Sequence, residues 1–183
     1  MAAIERVGAD GRSRVRVAVA GSGGARVDTG IPVFDHLLSL LAEYASFDLE
    51  LQVAPGSALD EVASAGWGLG DALAAPLQAS GARRHGSATV PVDEALAHVA
   101  LEASGRPLVV SNVDLSEAHV AGVGGDVLAS FLERLSTGAG LTLHVRLIEG
   151  RETQHVLEAI FKSLGVALAQ ACRPRRRKED ASG

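Results

Sequence analysis

Hydrophobic residues recur along this chain with two different periods, and each period predicts a type of element. Leucines at three- and four-residue spacing give residues 35–44 one apolar helical face, and the same pattern predicts a helix at 127–135. After each of these helices, at 47–53 and 141–148, the period shortens to two. That alternation is typical of a strand with one buried face.

A longer helix is predicted at the end of each half of the chain, over residues 60–77 and 153–172. Upstream strands are predicted at 15–20 and 26–29 in the first half, and at 88–90, 97–103 and 108–113 in the second. The order is therefore strands, helix, strand, helix, twice over. Helices on one face of each sheet predict an α+β fold of two two-layer units that pack through their helices.

Two segments of the sequence are repeated in the same order. Residues 69–74 resemble 164–169, and residues 49–53 resemble 143–147, with offsets that differ by a single residue. An internal duplication constrains the architecture more firmly than local propensity does. We therefore predict a first repeat at 1–80, a second repeat at 81–172 and a basic tail at 173–183.

Composition narrows the class of protein. The chain has 183 residues, 47% of them hydrophobic, which is enough to form a stable core without disulfides or a structural metal. One cysteine, Cys172, excludes an intramolecular disulfide, and no apolar run is long enough for a membrane span. The N-terminus does not resemble a signal peptide, so we expect a cytoplasmic protein without a membrane partner.

The charge balance argues against a nucleic-acid partner. The net charge is −5, so the body of the protein has no broad basic surface for a polyanion, and aromatic residues are only 3% of the chain. The basic run 173–178 is the exception. We expect it to be a solvated, disordered tail, with a phosphate or nucleic-acid contact as the alternative.

Histidines and a glutamate near the last long helix could bind a metal ion. His155 and Glu158 are three residues apart, so both lie on one helical face. The alternative is a solvated pair with no metal. His144 lies on the preceding strand, within reach of this helix by sequence, and His36 lies at the start of the first helix. Manganese, iron and zinc all suit such ligands.

The duplication tests this hypothesis, because a symmetric pair of sites needs ligands in both repeats. The first-repeat equivalents of Gln154, His155 and Glu158 are Leu59, Asp60 and Ala63. Only Asp60 has a side-chain donor atom. Trp67 lies further along the same predicted helix, where it could pack in the core or fill the space left by the missing ligands.

Several motifs in order resemble those of the imidazoleglycerol-phosphate dehydratase family. They lie at 28–38, 45–49, 91–97, 104–107 and 140–151, so the resemblance covers about 15–171 of the chain. It implies the family's duplicated, ribosomal protein S5 domain 2-like fold. It also implies a manganese-dependent lyase of histidine biosynthesis, in which two ions hold the substrate imidazole while a proton and a hydroxyl leave.

The resemblance also assigns site residues. It implies that His36, His144, His155 and Glu158 are metal ligands, with a catalytic role for Glu158 as well. It implies that Leu59, Asp60, Ala63 and Gln154 stand where the family has ligands, so manganese is reduced to one ion or none. Arg84 and Arg106 match the arginines that hold the substrate phosphate; Arg106 could instead be a turn residue.

These departures predict a dehydratase-like protein whose activity is weak or absent, because the first repeat has lost its metal site. Two alternatives stay open: an active dehydratase with an altered or single-metal site, and a binding or regulatory paralogue of the enzyme, which would be a pseudoenzyme. The partner is expected to be a phosphorylated small molecule. The resemblance implies a homo-oligomer, between a trimer and a 24-subunit shell.

Overall fold

A computed structural model describes residues 3–114, 119–120 and 123–175 of the protein. Residues 176–183, most of the basic tail predicted from the sequence, lie outside this range. The part of the tail that is described is attached to the linker between the repeats. The backbone N–H of Arg175 donates to the carbonyl of Gly81 at 2.7 Å, and that of Arg83 donates to the carbonyl of Arg173 at 2.7 Å.

The first half forms a mixed sheet with two helices. Its elements are β1 (Ile4–Val7), β2 (Arg14–Ala18), β3 (Ala25–Asp28), α1 (Pro32–Ala45), β4 (Asp48–Gln52) and α2 (Ala58–Gln78). The strand order is β1-β2-β4-β3, and β3 is parallel to β4. The predicted strands and helices of this half are confirmed, and β1 is an element that the sequence patterns did not predict.

The second half repeats this arrangement. Its elements are β5 (His85–Val92), β6 (Ala95–Glu102), β7 (Leu108–Ser111), β8 (His119–Val120), β9 (Val123–Gly124), α3 (Gly125–Ala139), β10 (Thr142–Glu149) and α4 (Thr153–Cys172). The sheet order β5-β6-β10-β7 matches that of the first half strand by strand. The duplication and the α+β class are thus confirmed, with the small hairpin β8-β9 as an addition to the second half.

The two halves pack through their helices in crossed pairs, with α1 against α4 and α2 against α3. Glycine lets each pair approach closely. A Cβ on Gly70 would lie 2.6 Å from the Leu135 carbonyl oxygen, and one on Gly165 would overlap the Leu41 carbonyl oxygen. At the centre, the ring of Phe34 meets those of Phe131 and Phe161 edge to face, at 5.1 and 5.7 Å between centroids.

Each sheet has one face covered by helices and one face that is open. On β10, Leu143 and Val145 point toward the helices and are fully buried, whereas His144 and Arg146 alternate with them and are exposed. Side chains on the open face therefore point away from α1–α4. Within the described ranges, no helix is both long and apolar enough to cross a membrane.

Candidate metal and substrate site

The start of α4 is held by a carboxylate from the turn between β5 and β6, near the beginning of the second repeat. Glu152 precedes the helix but makes no capping bond with its side chain. Instead Glu94, in the turn between β5 and β6, accepts from the backbone N–H groups of Glu152 at 2.8 Å and Arg151 at 3.2 Å. Backbone N–H groups at the start of a helix have no partner within the helix, so the Glu94 side chain acts as an N-cap for α4.

The same carboxylate orients His155 on the first turn of α4. Nδ1 of His155 lies 2.8 Å from Oε2 of Glu94, and its Nε2 lies 3.3 Å from Oδ2 of Asp93. The bond from the Glu152 backbone, followed by the one from His155, lowers the pKa of Glu94 to about 2. The bond to Glu94 in turn raises the pKa of His155. The imidazole is thus fixed between two carboxylates.

Glu158 lies one turn further along α4 and meets His36 from α1. Nε2 of His36 is 3.3 Å from Oε1 of Glu158, and the amide of Gln154 donates to the same oxygen at 3.1 Å. Partial burial raises the pKa of Glu158, but the bonds from Gln154 and His36 outweigh it, and the pKa falls below its usual range. The His36 and Glu158 side chains, which lie 122 positions apart in the sequence, therefore do come together.

His36 is well placed because the start of α1 is fixed. Oδ1 of Asp35 accepts from the backbone N–H of Thr29 at 2.8 Å and from its hydroxyl at 2.6 Å. Pro32 stands in the first turn, where its missing N–H costs no helical bond. The sequence segment 28–38 is therefore one unit that anchors the helix and points His36 toward α4.

At the start of α2, the equivalent place in the first repeat, the side chains have other roles. The hydroxyl of Ser57 donates to Oδ2 of Asp60 at 2.6 Å and accepts from the Asp60 backbone N–H at 3.2 Å, which is a local helix cap. Leu59 is 47% exposed, and Ala63 is half-buried. The neighbouring carboxylate of Glu61 points inward, where it accepts from the Gly56 backbone at 3.0 Å.

His144 lies elsewhere. It is on β10 opposite Ala100 of β6, on the open face of the second sheet, while α4 covers the other face. The sequence suggested that His144 would reach the start of α4. The structure instead puts the sheet between this imidazole and the His155 side chain, because alternate residues of a strand point to opposite faces.

Arg84 and Arg106, for which the sequence predicts a contact with the substrate phosphate, both lie next to the segment 103–104. Arg84 is half-buried, and its guanidinium donates to the carbonyl of Ala103 at 2.8 Å. Arg106 follows three residues later, and its backbone is held by the Ser104 hydroxyl at 3.1 Å. The Arg106 side chain is exposed and makes no hydrogen bond or ion pair with the described residues, so it is free to bind an anion.

Within one chain, the arginines and the α4 cluster lie at opposite ends of the second sheet. Arg84 immediately precedes β5, whereas Glu94 lies in the turn after it. Eight residues of strand span about 26 Å. A small substrate cannot bridge this distance, so the structure brings His36, Gln154, His155 and Glu158 to one end and leaves Arg84 and Arg106 at the other.

These residues do not fit a two-ion centre held by one chain. Across the described residues, no group of three or more His, Cys, Asp or Glu side chains is arranged to hold a metal ion. The donors form pairs instead, His36 with Glu158 and His155 with Asp93. Both oxygens of Glu94 already accept hydrogen bonds, so this residue positions His155 and adds no free donor.

Asp93 and Glu94 are the residues that our sequence reasoning did not assign to the site. They lie inside one of the motifs, at 91–97, but no spacing rule connects them with His155, which is 61 residues away from Glu94. The two segments meet only because β5 and β6 form a hairpin whose turn reaches the start of α4.

Comparison with known proteins points to one family. A family model described as imidazoleglycerol-phosphate dehydratase matches residues 29–168. The imidazoleglycerol-phosphate dehydratase of Desulfitobacterium hafniense is 41% identical over 93% of this chain and 89% of its own length. That of Halorhodospira halophila is 37% identical over 93% of this chain and 88% of its own length.

Solved structures lead to the same family. The imidazoleglycerol-phosphate dehydratase of Staphylococcus aureus superposes with a TM-score of 0.83 at 26% identity, covering 94% of this chain and 99% of that one. IGPD from Pyrococcus furiosus, solved with (S)-C348, superposes with a TM-score of 0.81 at 27% identity, covering 98% and 99%. With the duplicated sheets, the crossed helices and the motifs, these matches establish that the chain belongs to the imidazoleglycerol-phosphate dehydratase family.

Proposed function

We propose that this protein, unlike an ordinary member of its family, dehydrates imidazoleglycerol phosphate weakly or not at all. The relatives carry the name of that activity, and the fold is theirs. What this chain lacks is the set of donor atoms in its first repeat. A binding or regulatory role beside an active relative follows if the activity is absent.

One observation carries the proposal: the starts of α2 and α4 are equivalent in the fold but not in chemistry. At α4, Gln154, His155 and Glu158 are polar, and two of them are metal-ligand types. At α2 the equivalents include Leu59 and Ala63, which have no donor atom, and the Asp60 carboxylate already holds the Ser57 hydroxyl. The first repeat thus offers at most one side-chain oxygen to an ion.

The number of donors decides how tightly an ion binds. Zinc and manganese sites in proteins use about four to six donor atoms. The His36–Glu158 and His155–Asp93 pairs supply two side chains each. Loss of a residue that only supports a metal ligand already costs about 10–100-fold in affinity, so the loss of ligands themselves should cost at least as much. We therefore expect one weakly held ion or none.

The separation of the two clusters supports a homo-oligomer. Arg106 is free to bind a phosphate, but the imidazole and carboxylate groups lie at the other end of the sheet. Only a second copy could bring His36 or Glu158 beside the Arg84 and Arg106 of the first. We propose an assembly between a trimer and a 24-subunit shell, with a phosphorylated small molecule as its partner. A cytoplasmic location and the absence of a nucleic-acid partner stay predictions.

One alternative has an observation in its favour. Nε2 of His36 and Oε1 of Glu158 lie 3.3 Å apart. If a cation displaced the Gln154 amide from this oxygen, the imidazole and the carboxylate could bind the cation together. A dehydratase that works with a single ion at this pair would retain some turnover. Manganese content and turnover distinguish this enzyme from the inactive paralogue.

The test uses protein purified with manganese. Metal is counted by inductively coupled plasma mass spectrometry, and turnover of imidazoleglycerol phosphate is measured on the same sample. We expect at most one ion per chain and turnover at or near background. Two ions per chain with clear turnover would contradict the proposal, whereas one ion with turnover would establish the single-ion enzyme.

A designed variant makes the test sharper. Leu59→His, Asp60→His, Ala63→Glu and Gln154→His together restore the donor types, and all four positions are exposed or half-buried, so folding should be kept. We expect this variant to gain bound manganese and turnover. The matched control replaces Leu59, Asp60 and Ala63 by glutamine, which adds polarity without strong donors, and should gain neither.

Light scattering tests the assembly. We expect a particle of at least three chains, and its mass should change little when EDTA is added, since few ions are present to hold it together. A monomer at micromolar concentration would contradict the homo-oligomer. A large particle that dissociates in EDTA would contradict the loss of metal.

A further inference from the structure

The C-terminal segment and the linker between the repeats form a short two-stranded ladder. Ala82 and Pro174 lie opposite each other in an antiparallel bridge. Two backbone hydrogen bonds flank this bridge, one from Arg83 to Arg173 and one from Arg175 to the linker. Proline stands in the pair that exchanges no backbone bond, which is where a residue without an N–H fits a ladder. The backbone of the arginine-rich segment is therefore fixed on both sides of the bridge.

The bridge also decides which side chains point outward. Ala82 is 5% exposed, so its side of the ladder faces the body of the protein. Neighbouring residues of an extended segment point to the opposite side. The outer side therefore carries Arg83, Arg173 and Arg175, which are all exposed and which we call the outer arginines. Arg84 is not one of them, because its guanidinium is bonded to a backbone carbonyl.

The outer arginines lie close enough to repel one another. Arg83 and Arg173 are opposite each other on the ladder, where Cα atoms are about 5.5 Å apart, and Arg175 lies about 7 Å further along. Like charges directly opposite each other on a ladder are destabilising. The dipole of α4 favours a cation at its C-terminal end, which accounts for Arg173 but not for the other two. A bound anion would relieve this repulsion.

No carboxylate of the described residues neutralises this charge. Neither 72–92 nor 159–178 contains an aspartate or a glutamate. Across residues 3–114, 119–120 and 123–175, none of the outer arginines forms an ion pair. Glu102 lies opposite His85 in the strand register, but it makes no ion pair there either. The net charge of the whole chain is −5, so this end of the molecule is a local exception.

His85 holds the guanidinium of Arg83 in one orientation. Nε of Arg83 donates to Nε2 of His85 at 3.3 Å, and Nδ1 of the same imidazole lies 3.0 Å from the Arg83 carbonyl oxygen. Both contacts fit the tautomer with its proton on Nδ1. The two terminal NH2 groups of Arg83 make no bond within the described residues, and such groups form paired bonds with phosphate oxygens. Arg83 is therefore preorganised for an anion.

We propose that the outer arginines bind a compact anion with two or more linked phosphate groups, such as inorganic diphosphate or the phosphate chain of a nucleotide. A single phosphate group is too small to contact all three guanidinium groups, whereas a chain of two or three phosphates can. A long polyanion such as nucleic acid is disfavoured, because it would also meet the negatively charged body of the protein. The site does not depend on whether the chain is a dehydratase.

Isothermal titration calorimetry of the full-length protein, in EDTA and at low salt, measures the binding. The probes are inorganic diphosphate, triphosphate and phosphate. We expect saturable binding of diphosphate that is about tenfold tighter than that of phosphate, and tighter binding still of triphosphate. Added salt should weaken all three, because the contacts are ionic. Equal affinities for diphosphate and phosphate, or no saturable binding of diphosphate at millimolar concentration, would overturn the proposal.

Two further probes identify the kind of anion. ADP carries a diphosphate on a nucleoside, whose base is commonly held by stacking on an aromatic side chain. The exposed aromatic side chains lie elsewhere: Trp67, which is 46% exposed and so is not packed in the core, is on α2, and Tyr44 is on α1. We therefore expect ADP to bind no more tightly than diphosphate. A strong preference for ADP, or for a short oligothymidylate over triphosphate, would contradict a site for a compact phosphate chain.

Variants locate the site. Arg83→Gln and Arg175→Gln each remove one guanidinium and should weaken diphosphate binding about tenfold. Arg146→Gln is the matched control, because Arg146 is also exposed but lies on the open face of the second sheet. Arg106→Gln distinguishes the site from the substrate arginines. If Arg106→Gln weakens diphosphate binding and Arg83→Gln does not, the anion occupies the substrate arginines and the proposal fails.

His85→Phe tests whether the imidazole acts by positioning Arg83. The substitution removes both ring nitrogens, so we expect diphosphate binding to weaken several-fold in the otherwise wild-type chain. In an Arg83→Gln background it should have no further effect, because His85 acts only through Arg83. Thermal unfolding of each variant checks that the fold is kept. Losses that add in the double variant would contradict the positioning role of His85.

Discussion

The starts of α2 and α4 occupy equivalent positions in the two repeats, but their side chains and the groups that cap them differ. α4 begins with an imidazole and a carboxylate that are held by residues from other elements, Glu94 and His36. α2 begins with an exposed leucine and a local serine cap. The difference shows that the fold does not need an imidazole and a carboxylate at this position. Side chains at this position lie at the surface of each helix start, so their replacement leaves the buried face unchanged.

The buried faces of the repeats differ too, and here the differences compensate. The position of Phe161 in α4 is occupied by Gly66 in α2, where a Cβ would lie 2.7 Å from the Phe131 carbonyl oxygen. A single aromatic cluster of Phe34, Phe131 and Phe161 therefore serves both halves. Volume lost in one repeat is supplied by the other.

The largest expected effect comes from breaking this shared cluster. Phe161→Ala leaves a cavity at a site that is fully buried, and we expect it to lower the free energy of unfolding by about 3–5 kcal/mol. Urea unfolding followed by circular dichroism measures the loss. Tyr44→Ala is the control on the surface of α1, where 39% exposure predicts a much smaller loss. Equal losses would mean that the cluster is not central to packing.

The next effect compares how closely the first strand of each sheet packs on the long helix. Gly86→Val places side-chain atoms against the Ala167 carbonyl and should cost about 2–3 kcal/mol, because strand and helix must separate. Ile4→Val at the equivalent position of β1 should cost no more than about 1 kcal/mol, since Ile4 is only partly buried. Urea unfolding of both variants gives the comparison, and a tolerant Gly86 would contradict close packing in the second repeat.

Much of the fold could be predicted from the sequence because it follows from local periodicity. The helix predicted at 153–172 has those bounds in the structure, and the strand predicted at 141–148 is shifted by one residue. The duplication predicted that the second half repeats the first, and the matching strand orders of the two sheets confirm it. β1 was missed because the strand Ile4–Val7 has only four residues, and two of them, between the apolar ends, are charged. A pattern this short does not stand out from its surroundings.

The candidate site was less predictable, for a physical reason. His155 and Glu158 share a helix, so their spacing placed them together, and His36 joined them through the packing of α1 on α4. Glu94 reaches His155 only through the hairpin turn, and His144 is separated from it by the pleat of β10. For His144 the signal was in the alternation at 141–148: Leu143 and Val145 form the face toward the helices, so the imidazole between them points away. For Glu94 no local pattern was available, because its contact with His155 depends on how the hairpin turn packs.

The third effect concerns the remote cap of α4. Glu94→Gln removes the charge that holds two backbone N–H groups and His155, so we expect a loss of stability that depends on pH. The pKa of Glu94 is lowered from 4.5 to about 2, so its contribution is present above pH 4.5 and is lost as the pH falls toward 2. The pKa of His155 is raised above 6.5, so its contribution is present below pH 6.5 and is lost as the pH rises.

The loss in Glu94→Gln should therefore be largest between pH 4.5 and 6.5, where both contributions are complete. Unfolding free energies of wild type and variant across this range measure it. Glu102→Gln is the control, because Glu102 is an exposed carboxylate at the end of β6 with no hydrogen bond or ion pair to the described residues. A constant difference between pH 3 and 9 would contradict the ionic origin of the cap.

The smallest effect belongs to the other helix start and completes the comparison. Ser57→Ala removes a single neutral acceptor from the Asp60 backbone N–H, so we expect α2 to lose about 1 kcal/mol. Unlike the loss at Glu94, it should be nearly the same at all pH values above 5, because a hydroxyl does not titrate there. Urea unfolding at two pH values measures it, with Ser80→Ala in the exposed linker as the control. If Ser57→Ala proved as pH-dependent as Glu94→Gln, the Asp60 carboxylate and not the hydroxyl would be the group that holds the start of α2, and the two helix starts would be more alike than their sequences indicate.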